Sequence, residues 1–188
     1  MAAWRDRGDQ AAFGELVRRH GRLMARVAVV ALGSSGRRDP GLVQDAVQEA
    51  SIRLLSALRG YRGDAPLSAF IASLARRAAL DELRKALRHK KRAELASSHA
   101  DTARPGPEDP ASGAERTAAA LAVLSRLDAL KEPDRSILYL RDAEGLDIAS
   151  LAAMFRLPQG TVKSKLARAR AAVRADVISA WGEGGTLS

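Results

Sequence analysis

The 188-residue chain has no cysteine. Disulfide scaffolds, cysteine-bound zinc, iron–sulfur clusters and thiol nucleophiles are excluded together, and a reducing compartment is expected. Aromatic residues are scarce, at 4% against 46% hydrophobic residues in all. A core must therefore come from Ala, Leu, Val and Ile, which speaks for helices rather than sheets. Long apolar runs are also lacking. The longest, residues 27–32, is far shorter than the roughly 20 residues of a membrane-spanning helix. The N-terminal stretch has no apolar core or cleavage site of a secretory signal, so a soluble, cytoplasmic protein without membrane insertion is expected. Residues for chemistry are thin as well. His20, His89 and His99 lie in separate contexts without metal-ligand spacing, and no phosphate-binding glycine loop or Ser-His-Asp arrangement exists. No catalytic residue, metal or cofactor is expected, and the protein does not read as an enzyme.

Positive charge is plentiful. Lys and Arg number 31 against 22 acids, a net +9 that favours a polyanionic partner. It is concentrated in two places. Residues 76–92 hold eight bases against two acids, and residues 156–174 hold six bases and no acid. Residues 94–116 run the other way, with five acids against two bases.

The apolar pattern gives the organisation. Phe13, Leu16, Val17, Leu23, Met24, Val27 and Val30 recur at helical spacing until Gly33-Ser34-Ser35-Gly36 breaks the run. Asp39-Pro40 offers an N-cap followed by proline at the first helical position, opening a helix to about Leu58. After a Gly/Pro-containing loop a third helix carries Leu67, Phe70, Ile71, Leu74, Ala78, Leu80 and Leu83. Residues 97–113 contain three prolines and no large apolar side chain, too little to offset the entropy of ordering them. The expectation is an all-α protein of two small helical domains, 1–95 and 117–188, joined by a flexible linker over 96–116. In the second domain Leu121, Leu124, Leu127 and Leu130 mark one helix, and Pro133 at its first position opens the next. Helices over Ile148–Phe155, capped by Asp147, and from Gly160 to about Ile178 flank Arg156-Leu157-Pro158. So short a turn predicts a helix-turn-helix, with Ala152 at the close approach and Leu151, Leu157, Val162 and Leu166 between the helices. Arg156 stands where a left-handed backbone is wanted, which glycine adopts most cheaply. A basic run alone is an ordinary solvated face. Two runs, one of them on the second helix of a helix-turn-helix, point to DNA.

The segments DAVQEASIRLL (residues 45–55), YRGDAPLSAFIASLARRAALDELRK (61–85) and LRDAEGLDIASLAAMFRLPQGTVKSKLARARAAVR (140–174) resemble, in order and spacing, bacterial extracytoplasmic-function (ECF) sigma factors of the sigma-70 family. The resemblance covers nearly the whole chain from about Ala11, and PQGTVKSKLARAR is its most specific piece. It implies a subunit that directs RNA polymerase core to promoters. Its partners would be the β′ and β subunits, promoter DNA and an anti-sigma protein. Asp45, Gln48, Glu49 and Arg53 correspond to the surface that docks on the β′ clamp. Tyr61, Arg62, Phe70, Arg76, Arg77, Asp81, Arg84 and Lys85 match the region that holds the melted minus-10 strand. Phe70 stands where the family often has tryptophan, and Arg77 where it often has asparagine. The minus-35 reader would be the last helix. Gly160 and Thr161 open it; Lys163, Ser164, Ala167 and Arg168 share the groove-facing side; Lys165 and Arg170 sit nearer the edge, for phosphates. Val162, Leu166 and Val173 fall on the opposite, buried side. The alternatives are a helix-turn-helix regulator that binds DNA without polymerase, which leaves the acidic helix and residues 76–92 unexplained, and a membrane-surface protein, which lacks interfacial aromatics.

Overall fold

A computed structural model describes residues 10–96 and 126–182, with side chains to Ala93 and from Arg126 to Arg174. The chain divides into two compact units, Met1–Glu108 and Asp109–Ser188. The described residues form helices α1 (Gln10–Leu32), α2 (Ser34–Arg38), α3 (Pro40–Ala57), α4 (Leu67–Ala96), α5 (Asp134–Asp142), α6 (Ile148–Phe155) and α7 (Gln159–Gly182), with a 3₁₀ turn over Leu58–Gly60 and no strand. The all-α expectation therefore holds. The expected linker lies outside the described residues apart from Ala96, which ends α4, and so do Leu121 and Leu124.

In the first unit α1, α3 and α4 pack on one another. Scarcity of aromatics shows in how they do so: Ala28, Ala31, Ala46, Ala50, Ala72, Ala75, Ala78 and Ala79 are fully buried, so backbones approach closely and Met24, Leu54, Leu58 and Ile71 fill the remaining space. Asp39 caps α3 as its sequence announces, its carboxylate accepting from the Leu42 N–H with Pro40 following. The Gly33–Gly36 break is tighter than expected. Gly33 takes φ 59°, which ends α1, but residues 34–38 then make one short helix instead of an open loop. Gly36 permits that reversal, because a Cβ there would lie 2.8 Å from the Leu32 Cβ.

In the second unit α5, α6 and α7 enclose Leu127, Leu130, Ile137, Leu138, Leu140, Leu146, Leu151, Val162, Leu166 and Ala169. Pro133 is the N-cap of α5, one position earlier than expected. Arg126 and Leu127 are helical, but the chain turns by Asp128, so Leu130 belongs to a turn and not to the preceding helix.

Candidate nucleic-acid interface

The turn between α6 and α7 joins the two helices of a helix-turn-helix. Asp147 caps α6, accepting from the Ser150 N–H at 2.7 Å and its hydroxyl at 3.1 Å; these bonds hold the carboxyl below the usual aspartate range. At the other end Arg156 adopts φ 54°, ψ 46°, and the Leu157 N–H reaches back to the Ala152 carbonyl, which closes the helix and redirects the chain. Three residues after Arg156, α7 begins. Its packing stripe is Val162, Leu166 and Ala169, all buried, with Val173 half-buried. Gly160, Lys163, Ser164, Ala167 and Arg168 are exposed, so the residues expected to face DNA do share an open face, and Thr161 is half-buried beside it. The Ser164 hydroxyl donates to the Thr161 carbonyl at 2.9 Å, leaving its oxygen free to accept.

Lys165 and Arg170 are placed differently. Lys165 Nζ donates to Asp134 Oδ1 at 2.7 Å, and Arg170 grips Asp142 with Nε at 3.1 Å and Nη2 at 2.6 Å. Both partners belong to α5, 31 and 28 residues away in sequence. These contacts hold the Arg170 guanidinium above its ordinary pKa.

In the first unit α3 presents two sides. Leu42, Ala46, Ala50 and Leu54 are buried, while Asp45, Gln48, Ile52 and Leu55 lie on the exposed face opposite. Ile52 and Leu55 are 54% and 45% exposed, unusual for large apolar residues on a packed helix. The spacing i, i+3, i+7, i+10 is one on which a second helix can pack. Sequence reasoning named the two polar members of this stripe and missed the two apolar ones.

Glu49 and Arg53 turn towards α4. Arg53 donates to Glu49 and to Asp81, each at 2.8 Å, and Asp81 also accepts from Arg84 at 2.6 Å. The two carboxylates raise the Arg53 pKa. Residues expected for docking and residues expected for the minus-10 strand thus form one bracket between α3 and α4. On α4, Phe70, Arg77 and Arg84 repeat every seven residues along one side, and the Phe70 ring lies 5.0 Å from that of Tyr61, tilted by 43°. The Tyr61 hydroxyl donates to the Ala65 carbonyl, fixing the loop under the pair. Arg62 is exposed in this loop. Lys85 bonds Glu82 at 2.6 Å. Arg76 is half-buried and lies about a third of a turn from Phe70, so it does not share that side.

The matches to known families follow this division. The Sigma-70 region 2 family matches residues 16–89, and the Sigma-70 region 4 family matches residues 120–173. The ECF RNA polymerase sigma factor SigM of Mycobacterium tuberculosis is 37% identical over 170 residues, covering 87% of this chain and 76% of its own. This chain belongs to the ECF sigma factors. The sigma-H factor of Pseudomonas aeruginosa is 30% identical over 89% of this chain and 86% of its own. Among solved structures, CnrH in complex with the cytosolic domain of CnrY aligns with TM-score 0.62 and 26% identity over 95% of each chain. The sigma factor RpoE of Bartonella quintana, solved with the anti-sigma factor NepR, shares the fold at TM-score 0.64 and 17% identity, over 87% of this chain and 95% of its own. In this sigma factor α6 and α7 up to Val173 lie within the region 4 match, and α3 and α4 up to His89 within region 2. No helix among the described residues is long and apolar enough to cross a membrane.

Proposed function

We propose that this sigma factor joins RNA polymerase core through the exposed stripe of α3, holds the melted minus-10 strand on the Tyr61–Phe70 end of α4, and reads the minus-35 element with α7. The observation that carries this reading is the Asp45–Gln48–Ile52–Leu55 stripe, which a DNA-binding regulator acting without polymerase has no use for. Acid and amide groups at one end suit a basic partner, and Ile52 and Leu55 supply the apolar seam that a coiled coil offers. Glu49 and Arg53 act behind this surface by tying α3 to α4. Extruding a base costs a few kcal/mol of stacking, which an aromatic pair with Arg77 and Arg84 along the same side is suited to offset. The protein works in the cytoplasm as two functional units, 1–95 and 117–188, carries no chemistry of its own and needs no cofactor. As RpoE of Bartonella quintana was solved with an anti-sigma factor, a similar partner is proposed to hold this protein inactive.

The test is binding to core polymerase. Asp45→Arg with Ile52→Asp, both at exposed positions, should weaken association at least tenfold while DNA affinity is kept. Unchanged association would overturn the docking assignment.

A further inference from the structure

The cations of α7 are not equivalent. Val162, Leu166 and Ala169 define its buried stripe, and at about 100° per residue Lys165 and Arg170 fall on either side of it. Each is met there by a carboxylate from one end of α5, Lys165 by Asp134 and Arg170 by Asp142. Lys163, Arg168 and Arg174 are exposed and have no carboxylate partner among the described residues, and the same is true of Arg156 in the turn. The Asp134 pair is largely shielded, with side chains 20% and 27% exposed; the Asp142 pair is open, at 50% and 42%.

We propose that Asp134 and Asp142 divide the basic residues of the recognition helix into a set committed to the fold, Lys165 and Arg170, and a set available to DNA, Lys163, Arg168 and Arg174. Non-specific affinity grows with the number of phosphates neutralised, because each contact releases a condensed counterion. A cation already neutralised by a neighbouring carboxylate adds little to that release. Withholding two cations lowers binding to every sequence alike and leaves base-edge contacts untouched, so affinity and its salt dependence fall while the preference among sequences is kept. Asp134 and Asp142 thus set the strength and the salt dependence of DNA binding without needing to touch DNA. This inference rests on α7 being the DNA-reading helix.

The experiment is a salt titration of the full chain on a 30-base-pair duplex selected by that chain from a randomised pool, followed by fluorescence anisotropy. Lys163→Gln and Arg174→Gln should each shallow the slope of log K against log salt by about 0.9. Lys165→Gln and Arg170→Gln should change it by less than about a third of that step. Asp142→Asn should steepen it by about one step, and the pair Asp142→Asn with Arg170→Gln should restore the original slope. A full step lost in Arg170→Gln, or no steepening in Asp142→Asn, overturns the proposal. If Lys163→Gln and Arg174→Gln also leave the slope unmoved, α7 is not the DNA face, and the underlying reading fails instead.

Discussion

Arg156 concentrates the cost of the helix-turn-helix in one backbone conformation. A non-glycine residue at φ 54° carries a steric penalty of about 1 kcal/mol, and the side chain is exposed. Arg156→Gly should stabilise the second unit by about 0.5–1 kcal/mol, read as a higher unfolding midpoint of the full chain. A lower midpoint would mean that the arginine side chain supports the turn. Asp147 carries a pH dependence of defined sign. Its carboxyl titrates below the ordinary value because the Ser150 N–H and hydroxyl donate to it, so the unfolded chain takes up the proton first as acid is added. The cap's contribution is complete above the ordinary aspartate range, about pH 4, and is lost as pH falls through the lower folded value. Asp147→Asn keeps a capping oxygen and should flatten this part of the stability profile while leaving neutral-pH stability nearly unchanged; an unaltered acid limb would contradict it. Asp39, Asp147 and Arg156 were readable because capping and left-handed turns depend on residues within a few positions. The partners of Lys165 and Arg170 were not, because only packing brings α5 carboxylates beside α7.

At the scale of helices, the first unit is held together by small residues. Ala46 of α3 and Ala28, Ala31 and Ala79 of the neighbouring helices lie in one buried cluster with Leu32 and Leu42. Overfilling such a seam forces backbones apart, so Ala46→Leu should cost about 1–3 kcal/mol, seen as a lower urea midpoint. A neutral result would show that the bundle has room the packing does not suggest. Helix boundaries were largely readable from periodicity and punctuation: α6 begins and ends at the expected residues. Two things escaped. Ile52 and Leu55 look like core in a periodic pattern, because hydrophobicity alone does not say which face a helix buries. The four residues from Gly33 read only as a break in the helix, although Gly36 lets a short helix pack against Leu32.

Across the whole molecule, charge and apolar exposure are sorted by task. The two basic runs lie mainly on α4 and α7, each in its own unit, and both were visible in composition because a helix concentrates its sequence neighbours along one rod. The mixing of roles was not visible. Glu49, Arg53 and Asp81 link the proposed docking helix to the proposed strand-holding helix, so two surfaces assigned separately by sequence share one ionic bracket. The central claim, that this chain tells RNA polymerase where to start through α7, is tested most directly by transcription. Core polymerase with the full chain would transcribe a library of genomic fragments, with 5′ ends mapped for the natural protein and for Arg168→Ala. The account predicts starts that share an upstream and a downstream element, with one or two upstream base pairs becoming interchangeable in the variant, each worth about 1–3 kcal/mol of discrimination. Starts no different from those of core alone, or an Arg168→Ala holoenzyme weakened equally at every promoter with no base relaxed, would contradict it.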